Sequence, residues 1–312
     1  MLEERLPTVL DPRPLANFVE TDEIRAIADR ALVYIQAGFP VHFRGDAGTG
    51  KTTLALHVAA QLKRPVVLIH GDEEFSTADL IGGEYGYSSR RVIDNYIHSV
   101  LKSEEEVAPR WVDNRLTTAA RNGFTLVYDE FTRSRPEANN VLLAVLQERI
   151  LDMPAGAEDS NYLSVHPQFT SIFTSNSSDY AGVYGSQDAL FDRMVTLDLQ
   201  HYDFETEVAI TQAKAGLTRA EAERIVSVTR SLRDVEGCEV TPSVRSCIKI
   251  GRAVKMQEAS VSVSDPYFRA ICQDVLGSGA SRSGHGLASL RQAISSLVEC
   301  HCQNAEELAD VH

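Results

Sequence analysis

A glycine-rich stretch near the amino terminus has the residue types and spacing of a phosphate-binding loop. The match to the pattern GxxxxGK[ST] is Gly45-Asp46-Ala47-Gly48-Thr49-Gly50-Lys51-Thr52, and Thr53 follows it. Glycines allow backbone N–H groups to turn towards phosphate oxygens, and the amino terminus of a following helix adds partial positive charge. In such a loop Lys51 neutralises the terminal phosphates and the Thr52 hydroxyl binds Mg²⁺. The spacing therefore predicts that residues 45–53 bind a nucleoside triphosphate together with Mg²⁺.

Two adjacent carboxylates after a second apolar stretch form a candidate metal and water site. Asp129 and Glu130 come directly after Thr125–Tyr128. Carboxylates at the end of a buried strand are costly unless they face a cation or a polar cleft. With Lys51 upstream, Asp129 is predicted to bind Mg²⁺ and Glu130 to polarise the attacking water. Two solvated residues at a strand end are the alternative interpretation.

A third polar position closes the next apolar stretch, at Thr174-Ser175-Asn176. A neutral amide at Asn176 can orient the lytic water beside Glu130. Asparagine is also common in turns, so this residue gains weight only beside the two earlier motifs.

These residues require strands and helices in a fixed order. Val41–Arg44 is predicted as a strand, the glycine-rich turn follows, and Lys51–Leu62 has the pattern of a helix. Further strands are predicted over Val66–His70, Phe124–Tyr128 and Phe169–Thr174. Strands that alternate with helices indicate an α/β fold with a parallel sheet and helices on both faces. The prediction is a three-layer α/β/α domain.

Other segments are assigned from their periodicity. A helix is predicted between Thr21 and Gly38, and another over Pro136–Gln147. Arg149–Pro167 is predicted as a hairpin with a polar tip.

The organisation into domains follows from two changes along the chain. The section between Gly71 and Gly123 is longer than a crossover helix requires, which indicates an insertion at about residues 82–118. Helical periodicity dominates from Phe204 onward. We therefore predict a core domain over residues 1–203 and a smaller all-helical domain with a tail over residues 204–312.

The composition limits the classes of partner and location. A formal charge of −14 repels phosphate backbones, so no nucleic-acid partner is expected. No apolar run approaches the ~18 residues that a membrane-spanning helix needs, so no membrane association is predicted. The first residues lack the basic and apolar segments of a secretory signal. These observations predict a soluble protein of the cytoplasm.

All five cysteines lie in the carboxyl-terminal part of the chain: Cys238, Cys247, Cys272, Cys300 and Cys302. They lack the paired CxxC spacing of zinc sites, so they are predicted to be buried, reduced thiols. A metal site at Cys300-His301-Cys302 is the alternative, although no second ligand pair lies nearby in the sequence.

The three polar motifs and the helical carboxyl-terminal region together resemble the AAA+ superfamily of P-loop ATPases. The resemblance implies ATP hydrolysis, with Glu130 as the catalytic glutamate and Asn176 as the sensor 1 residue. It further implies that the carboxyl-terminal helices form a lid. It also implies a homo-oligomeric ring, taken here as a hexamer, in which an arginine of one subunit contacts the ATP of its neighbour.

The arginine finger of that superfamily is best matched by Arg193, within Leu190-Phe191-Asp192-Arg193-Met194. Arg133 and Arg135 are weaker matches. The alternative for Arg193 is an ordinary ion pair with Asp188 or Asp192 at the surface.

The sensor 2 residue of the helical lid is matched by Arg245. This arginine follows Thr241 and Pro242, which are predicted as the helix cap and the first helical residue. The alternative is that Arg245 lies on a solvated helix face.

Two further stretches resemble the MoxR branch of the superfamily: Asp79-Leu80-Ile81-Gly82 and Asp129-Glu130-Phe131-Thr132-Arg133. That branch carries an insert in its second helix. The insert agrees with the long section predicted after Gly71.

Several stretches within residues 15–215 are similar to the gas vesicle protein N family. They are Phe18-Val19-Glu20-Thr21, His70-Gly71-Asp72-Glu73-Glu74-Phe75, Trp111-Val112-Asp113-Asn114-Arg115-Leu116, Phe131-Thr132-Arg133-Ser134-Arg135-Pro136-Glu137 and Asp179-Tyr180-Ala181-Gly182-Val183. The resemblance implies an ATPase that assembles or enlarges gas vesicles by remodelling or chaperoning shell or accessory proteins. It also implies a location in the cytoplasm, in association with vesicles.

Two tyrosines of the insertion are candidates for contact with another polypeptide. Tyr85 and Tyr87 lie among Gly82, Gly83 and Gly86. Amphipathic side chains on a pliable loop suit the gripping of a protein chain, and local packing of both rings is an equal alternative.

Two other functions fit the same motifs. A MoxR-type chaperone that activates a metalloenzyme or a carboxylating enzyme would share the ATP site and differ in its client. A structural coat component that binds nucleotide without hydrolysis would not need Glu130. A nucleic-acid motor is disfavoured by the acidic charge balance.

Overall fold

The computed structural model describes residues 9–13, 18–94, 102–154, 161–177, 188–235, 241–278 and 287–303, with the backbone alone at 84–94, 102–110 and 287. Its strands are β1 (Val9–Leu10), β2 (Val41–Gly45), β3 (Val66–His70), β4 (Gly82–Asp94), β5 (Lys102–Asp113), β6 (Thr125–Asp129), β7 (Ile150–Asp152), β8 (Tyr162–Ser164), β9 (Thr170–Asn176) and β10 (Val195–Leu199). Its helices are α1 (Asp22–Gln36), α2 (Lys51–Gln61), α3 (Thr77–Ile81), α4 (Arg115–Asn122), α5 (Pro136–Asn139), α6 (Val141–Gln147), α7 (Asp188–Phe191), α8 (Phe204–Ala215), α9 (Arg219–Arg233), α10 (Val244–Gln257), α11 (Pro266–Gly277) and α12 (Leu287–His301), with a 3₁₀ turn over Phe131–Arg133.

The main sheet has the strand order β1-β3-β6-β9-β2-β10. β3 pairs with β6 and β6 with β9 in parallel, whereas the short β1 pairs with β3 in antiparallel orientation. In the β3–β6 register His70 lies opposite Asp129. Parallel strands place their carboxyl ends at one edge of a sheet, so the ends of β3, β6 and β9 lie together. The predicted α/β class with a mostly parallel sheet is confirmed.

The central strands β6 and β9 are buried along almost their whole length, which indicates that both of their faces are covered. Every residue of β6 is buried, and in β9 all but the first and the last residue are buried. Strands buried on both faces lose the alternation of apolar and polar residues. The strands predicted over Phe124–Tyr128 and Phe169–Thr174 are present as β6 and β9.

The helix predicted over Pro136–Gln147 is present, but the structure divides it into two consecutive helices. α5 ends at Asn139 and α6 begins at Val141. Between them Leu143 N donates to Asn140 O at 3.1 Å, a bond between residues three apart that interrupts the α-helical ladder. The hairpin predicted over Arg149–Pro167 is present as β7 and β8.

Contacts divide the chain into two units, which we name the sheet unit and the helical unit. The sheet unit comprises Met1–Pro14, Arg30–Arg44 and Thr52–Asp198. The helical unit comprises Leu15–Asp29, Gly45–Lys51 and Leu199–His312, so it includes most of the glycine-rich loop. The domain boundary placed at residue 203 from the sequence stays a prediction.

The helical unit has its own apolar core, formed by α8 to α12. The core residues include Ile225, Ile250, Phe268 and Ile294, each with at most 1% of its surface exposed. Glycine at position 251 lets α10 pack closely, since a Cβ there would lie 2.7 Å from the Cβ of Ala215. Burial of these side chains stabilises the unit independently of any bound molecule.

The section between β3 and β6, where an insertion is predicted at about residues 82–118, consists of α3, the β4–β5 hairpin and α4. Asn114 N donates to the carbonyl oxygen of Ile81 at 2.9 Å where the hairpin begins and ends. The Asp113 carboxylate accepts from Trp111 Nε1 and from Arg121 Nε, both at 2.8 Å. These bonds fix the base of the hairpin. The side chains of Tyr85 and Tyr87 and all of residues 95–101 lie outside the described part.

The cysteines differ in exposure, and the prediction that all are buried is wrong for Cys300. Cys247, Cys272 and Cys302 are buried, and burial raises the pKa of Cys302 to about 11. His301 Nε2 lies 2.8 Å from Ser231 Oγ. No cluster of metal-ligating side chains occurs among the described residues, and Cys238 lies outside them.

Within the described ranges, no helix is both long enough and apolar enough to cross a membrane.

Candidate active site

The glycine-rich loop follows β2 and ends at the first turn of α2. Gly48 and Gly50 both have φ +88°, a region that glycine enters without a steric cost. Thr49 Oγ1 donates to the carbonyl oxygen of Asp46 at 2.9 Å. The loop is therefore a closed turn whose shape depends on its two later glycines.

The lysine of the loop is buried within it. Lys51 has 6% of its surface exposed, and its Nζ donates to the carbonyl oxygens of Gly45 and Asp46, both at 2.8 Å. Its ammonium group is thus held in the concave side of the loop by backbone oxygens. A cation in this position provides the charge that a phosphate group requires.

The start of α10 packs against the same loop. A Cβ at Gly48 would lie 2.1 Å from Ser243 Oγ and 3.3 Å from the Cβ of Arg245. Arg245, the predicted sensor 2 residue, is exposed and lies in the first turn of α10. The cap predicted at Thr241 is wrong, because α10 begins at Val244 with Ser243 as its N-cap. The predicted first helical residue, Pro242, precedes that cap.

The segment after β10 contacts the loop on other atoms. A Cβ at Gly45 would lie 2.3 Å from the carbonyl oxygen of Leu199, so only glycine fits there. A Cβ at Gly50 would lie 3.5 Å from the hydroxyl of Tyr202. Burial raises the pKa of Tyr202 to about 12, which keeps this hydroxyl neutral. The loop therefore packs against two segments of the helical unit.

A buried ion-pair network links those two segments. Glu207 is 1% exposed and its carboxylate accepts from Arg230 at 3.0 Å and from Arg233 at 2.7 Å. Arg230 also donates to the carbonyl oxygen of Tyr202 at 2.9 Å, and Arg233 to that of Pro242 at 2.6 Å. The network thus fixes the backbone on both sides of the loop.

In the sheet unit, Asp129 is the centre of a cluster of hydroxyl groups. Its Oδ1 accepts from Thr52 Oγ1 and from Thr174 Oγ1, both at 2.6 Å. Its Oδ2 lies 3.3 Å from His70 Nδ1. Asp129 is buried, with 7% of the surface of the residue exposed. Thr52, which belongs to the sheet unit, thus contacts Asp129 of β6.

Glu130 directly follows β6 in an unusual backbone conformation. Its φ of 51° and ψ of 41° are left-handed, which is uncommon for a residue with a side chain. Its N–H donates to Thr174 Oγ1 at 2.9 Å, and its carboxylate accepts from Arg133 at 2.9 Å. A Cβ at Gly71 would lie 2.0 Å from the Glu130 carbonyl oxygen, so that glycine makes room for the turn.

Asn176 and Arg193 occupy different positions in the same unit. Asn176 is the last residue of β9 and is half-buried. Arg193 follows α7, and its guanidinium donates to the side-chain oxygen of Gln147 at 2.8 Å and to the carbonyl oxygen of Ala189. These acceptors replace Asp188 and Asp192, which the alternative interpretation had proposed as ion-pair partners.

Comparison with known proteins gives the family. A family model described as an AAA domain of the dynein-related subfamily matches residues 40–194. The gas vesicle ATPase GvpN of Ancylobacter aquaticus is 49% identical over 300 residues, which cover 95% of this chain and 84% of that protein. The chain belongs to the gas vesicle ATPase GvpN family.

Other relatives agree with this assignment. GvpN of Haloferax mediterranei is 44% identical over 90% of this chain and 80% of that protein. Protein CbbQ of Hydrogenophilus thermoluteolus is 25% identical over 64% of this chain and 67% of that protein. The predicted likeness to the GvpN family and to MoxR-type relatives is confirmed. This GvpN-family chain is an ATP-hydrolysing P-loop ATPase that binds nucleotide.

Several residues around the GvpN site were not identified from the sequence. Thr174, His70 and Gly71 all contact the Asp129-Glu130 pair. A polar residue at the end of a predicted strand was a signal for His70, and Thr174 lies in the stretch that ends at Asn176. The only signal for Gly71 was its place in the GvpN-like stretch His70–Phe75, because its role depends on the backbone of Glu130, which is distant in sequence.

Proposed function

We propose that this chain is an Mg²⁺-dependent AAA+ ATPase that acts in the assembly or enlargement of gas vesicles. It does so by remodelling or chaperoning shell or accessory proteins. The observation that carries this proposal is 49% identity to a gas vesicle ATPase over 95% of the chain. We place it in the cytoplasm, in association with vesicles, and assign it neither a nucleic-acid partner nor a membrane.

The cluster around Asp129 fits a magnesium ion by its chemistry. Thr52 and Asp129 provide a hydroxyl and a carboxylate oxygen that are 2.6 Å apart. Mg²⁺ prefers such hard oxygen ligands and keeps several waters. When bound, the ion neutralises charge on the phosphate oxygens of ATP. Thr52 and Asp129 are the residues that would hold it.

The remaining roles are assigned to the other residues that the sequence motifs predict. Residues 45–53 bind the phosphates, with Lys51 directing its ammonium group towards them. Glu130 orients and polarises the attacking water as a general base, and Asn176 positions the same water. Arg245 contributes from the first turn of α10. The left-handed backbone of Glu130 supports this assignment, since strained conformations concentrate at functional sites.

The exchange of Glu130 for glutamine tests these roles. We expect Glu130→Gln to lower ATP turnover at least a hundredfold, because the general base is lost, and to leave ATP binding within about twofold. Turnover is measured with and without Mg²⁺, and binding with a fluorescent ATP analogue. Glu137→Gln, an exposed glutamate on α5, is the matched control. Turnover at the unmodified rate in Glu130→Gln would refute the assignment.

A homo-oligomeric ring, taken as a hexamer, would place Arg193 against the ATP of a neighbouring subunit. We expect Arg193→Ala to bind ATP normally and to lose turnover by about a thousandfold. Arg64→Ala is the control, because Arg64 also donates to a backbone carbonyl, that of Gln168. Wild-type turnover in Arg193→Ala would remove this residue from the role. Size-exclusion chromatography of Glu130→Gln with ATP tests whether a ring forms.

The cellular role is tested in cells that make gas vesicles from a gene cluster lacking its own GvpN. We expect the unmodified chain to restore full-sized vesicles and Glu130→Gln to leave them small or absent, because enlargement requires hydrolysis. Electron microscopy of vesicle width and length is the measurement. Full restoration by Glu130→Gln would favour a structural coat component. If these cells make vesicles of the same size without this chain, vesicle growth does not require it. That result would favour a MoxR-type chaperone with another client.

A further inference from the structure

A buried histidine of β2 contacts two neighbouring strands of the sheet. His42 is fully buried, with its Nε2 at 2.9 Å from Ser175 Oγ of β9 and its Nδ1 at 3.1 Å from Thr196 Oγ1 of β10. A neutral imidazole has one donor and one acceptor nitrogen, so it can bond both hydroxyls at once. The ring thus connects β2 to both β9 and β10 by hydrogen bonds.

The same ring belongs to an aromatic cluster. Its centroid lies 5.4 Å from that of Phe131, at an interplanar angle of 88°, and 5.2 Å from that of Phe191. Phe131 and Phe191 also contact each other, with centroids 5.5 Å apart. Edge-to-face packing of this kind has a preferred geometry, so a movement of one ring displaces the others.

Three of these contacts lie within two residues of a proposed catalytic side chain. The hydrogen-bonded serine directly precedes Asn176. The first phenylalanine directly follows Glu130, and the second lies two residues before Arg193. One buried side chain that touches none of the reacting atoms thus contacts all three segments.

We propose that His42 is a positioning residue for ATP hydrolysis, which holds these three segments in one arrangement. The inference rests on the proposed roles of Glu130, Asn176 and Arg193. His42 affects the rate of the chemical step and does not affect the affinity of the glycine-rich loop for ATP. A misplacement of about 1 Å at catalytic groups is enough to lower a rate by on the order of a hundredfold.

The test compares three variants with unmodified protein. His42→Leu keeps an apolar group and removes both hydrogen bonds, whereas His42→Gln and His42→Asn each retain an amide that can bond one hydroxyl. We expect His42→Leu to lower kcat at least about tenfold with KM for ATP and nucleotide affinity changed less than twofold. The amide variants should recover part of kcat. A merely structural role would lower the melting temperature without this division between kcat and KM.

His57 provides a matched control. It is also buried, at 9% exposure, and its Nε2 lies 2.7 Å from the Gln61 side chain of the same helix. We expect His57→Leu to leave kcat within about twofold even where it lowers the melting temperature. All turnover is measured well below the lowest melting temperature of the set.

A second measurement examines the coupling to the arginine. In an Arg193→Ala background, His42→Leu should lower kcat by a smaller factor than in the unmodified protein, because effects on one coupled unit are not additive. Full additivity, or wild-type kcat in His42→Leu, overturns the proposal. If Glu130→Gln is inactive and His42→Leu turns over normally, only this inference fails. If Glu130→Gln remains active, the proposed site fails and the inference fails with it.

Discussion

The glycine-rich loop and the Asp129 cluster are stabilised in different ways. In the helical unit, the loop depends on backbone conformation, with Gly48 and Gly50 at φ +88° and close neighbours that leave no room for a Cβ at Gly45. In the sheet unit, the cluster depends on side chains, since hydroxyl groups of Thr52 and Thr174 share one carboxylate oxygen.

Because of this difference, mutations in the loop and mutations in the Asp129 cluster should change different measured quantities. A change in the loop or in its supports should alter stability or ATP affinity, because the backbone that contacts phosphate moves. A change in the cluster should alter kcat, because ATP is still bound while water and metal ligands are misplaced. The following variants test that separation.

Removal of Glu207 should have the largest effect, on the stability of the helical unit. Glu207→Ala leaves Arg230 and Arg233 without their buried carboxylate, and loss of one partner of a buried pair costs about 3–5 kcal/mol. Chemical unfolding followed by circular dichroism measures this loss. Glu205→Ala on the same helix is the control, because its ion pair with Arg219 is exposed. Equal effects of the two variants would contradict the importance of the buried network.

Loss of the Thr174 hydroxyl should reduce catalysis next. Thr174→Val keeps the shape of the side chain but removes the donor to Asp129 and the acceptor for Glu130 N. We expect kcat to fall by about ten- to a hundredfold with little change in KM. Thr174→Ser retains a hydroxyl and should keep most of the rate. A rise in KM with unchanged kcat would show that this cluster acts on binding instead.

A methyl group at Gly48 should weaken ATP binding by a smaller factor. Gly48→Ala adds a Cβ 2.1 Å from Ser243 Oγ at a left-handed φ. The backbone cost is about 1–2 kcal/mol, which corresponds to about tenfold in ATP affinity. Gly216→Ala has the same kind of φ, +71°, with no atom within 4 Å, so it isolates the backbone term. An unchanged ATP affinity in Gly48→Ala would indicate that the loop accommodates the added Cβ.

The ion pair between Glu130 and Arg133 should matter least. Arg133 is 53% exposed, and exposed pairs contribute little because water and salt screen them. We expect Arg133→Ala to change turnover by less than about threefold and to leave the melting temperature unchanged. Steady-state kinetics at low and high salt measure this. A large loss of turnover would mean that this pair, and not Thr174 alone, positions Glu130.

The loop could be predicted from sequence because its parts are contiguous. The conformations that its glycines adopt and the charge of Lys51 are encoded within eight residues. Asp129 and Asn176 could be predicted because each ends an apolar run. These signals also sufficed for the α/β class and for the order of strand, loop and helix.

The remaining features depend on contacts between distant parts of the chain. β10 is short and alternates buried and exposed residues at its end, so no continuous apolar run marks it. The start of α10 was misplaced because Thr241 and Pro242 have the residue types of a cap, whereas the structure uses Ser243. The role of His42 depends on Ser175 and Phe191, which are more than a hundred positions away.

The base of the β4–β5 hairpin has a consequence for how the chain can vary. The carbonyl oxygen of Ile81 accepts from both Asn114 N at 2.9 Å and Thr117 Oγ1 at 2.6 Å, so the polypeptide leaves and returns at one point. A segment whose ends already meet can change its length or composition without new demands on the elements that flank it. Excision of residues 82–113 with a short replacement turn should therefore yield a protein that still hydrolyses ATP. Such a protein would lack any contact that the β4–β5 hairpin makes with another molecule.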